Sequence, residues 1–286
     1  MSDKNILESV SLGEHYFKIA FLLRESLFLN GILFSSESWY GLKEMEIKEL
    51  EKLDKILLRH IFESPKSVPV SSLFLESGCV SIGTLIKARR VTFLHHLANL
   101  DESEMLFKFF KCQWDHPVQL DWTDQARLNL QELNIPVSLN FLKSKSKTVF
   151  KKLVKEKIKT FEFSRLMTEK SNKSKLKNVS YSELKMQEYL ELKTMNKTQA
   201  IVLFKFRVRM SPFGENYKAG QQTPICPFCS LHLDSQEESF SCVKLKSMIQ
   251  ISGKYSDIFG REFKQEFLKT LCNLYFFREE YRKMTN

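Results

Sequence analysis

The chain has 286 residues, 43% of them hydrophobic, with 24 phenylalanines against 9 glycines and 7 prolines, a mix that favours helices and disfavours a turn-rich β fold. Its net charge of +10 is concentrated: residues 143–218 carry 20 Lys/Arg against 7 Asp/Glu, a balance of +13, so the rest stands at −3. Six cysteines, unevenly placed, exclude a disulfide framework, and no uncharged apolar run approaches the roughly 20 residues needed to cross a bilayer.

The N-terminus "MSDKNILESVSLGEH" is too polar for a signal peptide. Residues 12–34 follow with apolar residues at helical spacing, apolar on most sides, which predicts a well-covered central helix whose apolar stretch 17–34 is broken by Lys18, Arg24 and Glu25. After the break "SSESWYG", Ile47, Leu50, Leu53, Ile56, Leu57 and Ile61 predict an amphipathic helix, with Glu51 and Lys55 one turn apart. "ESPKSVPVS" is a connector, and "VSSLFLESG" is a short helix that Gly78 ends.

"VSIGTLIKARRVTFLHHLANL" is a further helix, carrying Ile82, Leu85, Ile86, Arg89, Phe93, Leu94 and Leu97. Its His95 and His96 point to different sides and read as surface or core-edge residues. "SEMLFKFFKCQWD" stops before Pro117, and "DWTDQARLNLQELNIP" opens on Asp121 or Thr123 and closes before Pro136. The lysine-dense stretch after Pro136 keeps a helical stripe of Phe141, Phe150, Leu153, Val154, Ile158 and Phe161. "SNKSKLKN" is a loop, and "SYSELKMQEYLEL" and "NKTQAIVLFKFRVRM" are two more expected helices, the second also compatible with a strand. A last helix begins near Glu262, after a turn at Gly260.

No catalytic constellation stands out. The basic segment offers Lys143, Lys145, Lys147, Lys151, Lys152 and Lys155, with Arg207 and Arg209 as a second cationic pair, as contacts for the phosphates of RNA or DNA. The same charges also describe a solvated helical face, with the phenylalanines facing inward.

Cys79, Cys112 and Cys272 sit in apolar or mixed sequence and read as buried thiols, whereas "PICPFCSLHLDSQEESFSC" brings three cysteines into metal-ligand spacing. Cys226 and Cys229 form a C-x2-C knuckle, and Cys242 is a third candidate ligand for zinc. The fourth is open between His232, with the better donor chemistry, and Glu238, one helical turn before Cys242. Ser235 with Glu238 also reads as a capping box. A reducing, intracellular setting fits, nuclear or cytoplasmic.

The order of these pieces resembles the region after the polymerase palm of non-LTR retrotransposon reverse transcriptases. Leu33, Phe34, Ser36, Glu37, Trp39, Leu50, Asp54, Leu58 and Arg59 match a "LLYGSETW"-like turn and the helix after it. Leu75, Glu76, Gly78, Ile82, Arg89, Arg90, Phe93 and Leu94 match the next segment, and "KMQEYL", "LFKFRVRM", "ENYKAGQQTPICPFC" and "KYSDIFG…FFRE" follow in the family's order. The resemblance implies a C-C-H-C zinc knuckle whose histidine position falls here on Glu238, so the ligand set is altered. It also implies that palm, fingers and endonuclease precede this stretch, leaving a thumb and C-terminal portion that is not an enzyme as it stands. The polymerase portion of the retroelement is then a partner.

The expectation is a mostly α protein, a multi-helix bundle with a small C-terminal zinc-knuckle-like element. Residues 1–135 would form a thumb-like helical domain, 136–215 a basic helical segment, and 216–286 the knuckle and terminal helix. The expected function is non-catalytic binding of RNA or DNA without a membrane partner, with Arg89 and Arg90 as further contacts if they are not spent on helix packing. A helical protein-interaction or scaffold module is the alternative.

Overall fold

Apolar residues at one-turn spacing become helices over most of the described residues, and those helices close three hydrophobic cores. The computed structural model describes residues 15–119, 121–217, 224–260 and 262–285. The expected helical residues 12–14 and the segment 218–223 lie outside them.

Helix α1 (Tyr16–Leu23) runs through a π-helical stretch, Arg24–Leu29, into a final turn, Asn30–Ile32. Next come α2 (Glu44–Ile61), α3 (Val70–Ser77), α4 (Ile82–Ala98), α5 (Met105–Asp115) and α6 (Trp122–Glu132). The basic segment forms α7 (Leu139–Lys143) and the long α8 (Lys147–Ser171), and α9 is Lys197–Arg207. Short α10 (Gly214–Tyr217), α11 (Gln236–Ser239) and α12 (Val243–Ile249) precede α13 (Gln265–Thr285). Among the described residues the only β pairing is one isolated bridge, Ile225 to Leu233. The mostly helical expectation therefore holds.

Local signals explain several boundaries. Gly78 ends α3 in the left-handed region at φ +69°, which a glycine adopts without strain. Asp121 caps α6 by accepting from the Asp124 N–H at 2.7 Å. Asn196 and Gln199 form a reciprocal capping box at the start of α9, which favours helix over strand there.

The largest core surrounds α9, whose Ala200, Ile201, Val202, Leu203, Phe204 and Phe206 are all buried. It draws on α1, α2, α3, the second half of α8, the knuckle and α13. A second core joins α4 to α5, α6, α7 and the first half of α8, and a third, smaller one gathers Leu29, Leu33, Ile82 and Ile86. The largest core takes residues from all three stretches 1–135, 136–215 and 216–286. Helix α8 links the two main cores, and Glu162 sits fully buried along it, accepting from Ser81 Oγ at 3.1 Å and Thr84 Oγ1 at 2.6 Å.

Two expectations need correction. The inward face of α2 includes Asp54 in place of Leu53 and Ile56, which are 49% and 53% exposed. Asp54 is buried because Arg24 reaches it with two hydrogen bonds of 2.6 Å. The stretch "SYSELKMQEYLEL" is not a helix but irregular chain with one 3-10 turn, Glu188–Leu190. Tertiary contacts override its propensity: Gln187 N–H donates to the Glu76 carbonyl at 2.9 Å, and Tyr181, Leu184, Tyr189 and Leu190 are buried. No single helix among the described residues is long and apolar enough to cross a membrane.

Candidate nucleic-acid interface and metal centre

Helix α8 turns Phe150, Val154 and Ile158 inward and leaves Lys147, Lys151, Lys152 and Lys155 exposed. Lys147, Lys151, Lys155 and the exposed Lys159 recur every four residues, so their side chains form one stripe along the helix. Among the described residues no carboxylate pairs with Lys145, Lys147, Lys151, Lys152 or Lys155, so their charge is not neutralised locally. Lys143 differs: its ammonium meets Glu102 at 2.8 Å and lies 5.0 Å from the Phe107 ring. The aromatic residues of this segment face the cores, with Phe150 fully buried and Phe141, Phe161 and Phe163 packed at the core margins.

A cleft of about 660 Å³ opens between α4 and the start of α8. Lys145, Ser146, Lys147 and Lys151 line one side, and Thr92, Phe93 and His96 of α4 line another. His95 behaves as a core-edge residue: it stacks on Phe150 with ring centroids 4.2 Å apart, and its Nε2 lies 2.9 Å from the Lys145 carbonyl. Its burial lowers its affinity for a proton. Arg89 and Arg90 are spent on contacts between helix α4 and the turn that follows Asn30–Ile32. Arg89 donates to the Leu33 carbonyl and, at 3.2 Å, to Asn30 Oδ1; Arg90 donates to the Trp39 carbonyl at 2.9 Å.

Arg207 and Arg209 do not belong to a phosphate-binding face. Arg207 is buried, with Nε 3.1 Å and 3.3 Å from the two oxygens of Glu76, which also accepts from the Tyr181 hydroxyl at 2.7 Å. Arg209 is held between Glu215 at 2.5 Å and Glu237 at 3.2 Å. Alternation of apolar and basic residues hid this, because the acids that claim the arginines lie far away in sequence or just beyond the helix.

The three knuckle cysteines do converge. The sulfur atoms of Cys226, Cys229 and Cys242 all lie within 4.8 Å of one another, so the set can hold a metal ion. Zinc–sulfur bonds of about 2.3 Å place tetrahedral thiolates about 3.8 Å apart, a small adjustment from this geometry. The hairpin that presents Cys226 and Cys229 is closed by Cys226 N–H to the His232 carbonyl at 2.7 Å and by Asp234 N–H to the Pro224 carbonyl at 2.6 Å. Backbone N–H groups of Leu231 and His232 point at the Cys229 sulfur and bring its pKa down to about 7. Cys242 is shifted up by burial, although the Leu245 N–H also reaches its sulfur.

His232 and Glu238 are not part of the three-sulfur set. Helix α11 ends at Ser239 and Cys242 caps the separate helix α12, so positions 238 and 242 do not share a helical face. Glu238 instead braces the loop: its carboxylate accepts from the Leu233 N–H at 2.6 Å, and its own N–H donates to Ser235 Oγ at 3.1 Å. His232 Nδ1 stands 3.9 Å from that carboxylate. The capping-box reading is thus half met: Ser235 caps α11, while the reciprocal bond goes to Leu233.

Sequence reasoning missed what anchors the knuckle. Arg278 of α13 makes two 2.6 Å hydrogen bonds to Asp234, and Phe228 packs 5.3 Å from Phe277 and 4.8 Å from Tyr281. Nothing local marks Asp234 or Arg278 as partners. Of the other thiols, Cys79 is buried as expected, Cys272 is half-buried, and Cys112 is exposed because it falls on the outer face of α5. No protein-family model matches this chain, and neither the curated proteins nor the solved structures contain a match.

Proposed function

We propose that this protein is a non-catalytic module that holds a strand of DNA or RNA against the lysine face of α8, with a zinc ion bracing the cysteine knuckle. The unpaired, exposed lysines Lys147, Lys151, Lys152 and Lys155 carry this reading. Cations not already matched to carboxylates are free to displace counterions from a polyanion, the main source of affinity in such contacts. The resemblance to the thumb and C-terminal region of retrotransposon reverse transcriptases supports nucleic acid as the polyanion. It also makes the polymerase portion of such an element a candidate partner.

Zinc is the ion best suited to three thiolates presented with N–H···S support, and it would link the hairpin to the start of α12. His232 and Glu238, the two residues the sequence offers as a fourth ligand, would each need a side-chain movement to supply it.

Fluorescence anisotropy with labelled oligonucleotides tests the first part. Binding is expected to weaken steeply between about 50 mM and 200 mM salt, and no binding at about 50 mM salt overturns the proposal. Elemental analysis tests the second, with one zinc per chain expected and far less than one overturning it. A protein-interaction module is the second reading, favoured by the outer face of α5, where Met105, Leu106 and Phe109 are 70%, 50% and 67% exposed. That reading predicts no salt-dependent binding of oligonucleotides.

A further inference from the structure

The cleft beside the lysine face is lined in part by two ring side chains of α4, Phe93 and His96, which phosphate contacts alone do not require. Phe93 and His96 are neighbours on α4, with ring centroids 6.1 Å apart and planes inclined by 39°. Phe93 is already held in place by an edge contact with Trp122 at 5.6 Å. Lys145, Lys147 and Lys151 stand on the α8 side of the opening, and Glu37 stands on the side formed by the turn after α1. The cleft is open to solvent, and its volume of about 660 Å³ leaves room for a small organic group.

From this arrangement we infer that the cleft takes one unpaired nucleotide of a single strand. The base lies on Phe93 and His96, and its flanking phosphates lie on Lys147 and Lys151. Glu37, which lines the same cleft, is the acceptor for an exocyclic amine on the base. This rests on the nucleic-acid reading above and sharpens it. A duplex keeps its bases stacked inside and offers the lysines only its backbone, whereas a single strand offers a phosphate and a π face together. Any base presents such a face, so the preference is for strandedness before sequence.

The test compares a single-stranded oligonucleotide with a hairpin duplex of the same sequence by anisotropy. 2-Aminopurine in the single strand reports stacking. Two variants probe the rings: Phe93→Leu, which keeps an apolar side chain beside Trp122, and His96→Ala, which alters an exposed ring. The expected result is single-strand binding about ten-fold tighter than duplex binding, weakened about five-fold by Phe93→Leu while duplex affinity stays constant. The 2-aminopurine signal changes on binding to the parent and changes less with either variant.

Equal affinity for both strands overturns the inference, as does full single-strand affinity in both variants. If Lys147→Ala with Lys151→Ala still weakens both ligands in that case, the polyanion reading survives alone. No binding of either oligonucleotide overturns both. Should circular dichroism show that Phe93→Leu does not fold, His96→Ala decides the matter by itself.

Discussion

Replacing Arg207 by methionine separates a structural arginine from a nucleic-acid contact. Its side chain is 6% exposed and that of Glu76 is not exposed at all. The guanidinium donates to Glu76, reaches the Ile258 carbonyl at 3.3 Å and lies 5.3 Å from the Tyr189 ring. Methionine fills much of the space but leaves the Glu76 carboxylate in the core with the Tyr181 hydroxyl as its remaining side-chain donor. Breaking a buried ion pair from one side costs about 3–5 kcal/mol, because the remaining charge keeps its desolvation penalty. Urea unfolding of Arg207→Met is expected to show a loss of that size. Removing the ion pair together with both tyrosine hydroxyls beside it, as Glu76→Leu, Arg207→Met, Tyr181→Phe and Tyr189→Phe, returns stability to within about 2 kcal/mol of the parent. If Arg207→Met loses less than about 1 kcal/mol while oligonucleotide affinity falls, the burial argument is wrong and the arginine belongs on the binding surface.

Three further outcomes follow from the same geometry. Gly78→Ala forces a left-handed alanine and brings its Cβ within 2.3 Å of the Lys185 and Met186 backbone, so urea unfolding is expected to show a loss of about 2–4 kcal/mol. An unchanged midpoint would mean that this segment does not cross α3 there. In metal-free protein Cys229, with a pKa of about 7, is expected to be alkylated at neutral pH ahead of Cys272, which burial pushes up to about 11. Zinc should protect Cys229, as read by peptide mass spectrometry. His95 takes up its proton at lower pH folded than unfolded, because burial disfavours its cation. Its contribution to stability is therefore complete above the unfolded value of about 6.5 and declines as pH falls from there towards the folded value. His95→Gln should flatten the stability–pH curve in that interval, and an unflattened curve would contradict the assignment.

Much of the helical architecture was legible because its signals are local. Asp121, the Asn196–Gln199 box and Gly78 mark ends within one turn, and the apolar stripe of α8 repeats long enough to outweigh its lysines. The features that were not legible depend on distant partners. Asp54 interrupts the apolar face of α2 because Arg24, thirty residues earlier, meets it inside. The stretch 181–192 has helical composition, yet Glu76 draws Tyr181 to its carboxylate and Gln187 to its carbonyl. Arg207 and Arg209 read as exposed cations until Glu76, Glu215 and Glu237 are brought beside them. At the candidate metal centre the three cysteines announced themselves by spacing. The place of Glu238 depended on where α11 stops, which spacing alone does not tell.

The most direct measurement is the salt dependence of oligonucleotide binding by the parent and by a variant carrying Lys147→Ala, Lys151→Ala and Lys155→Ala. All three positions are exposed on α8, and alanine favours helix, so the fold is retained. Each phosphate contact contributes about 0.7–0.9 to the slope of log K against log salt, so the variant's slope should be shallower by about 2–3. A variant that binds with the parent's affinity and the parent's slope would contradict the central claim that this lysine face holds the strand.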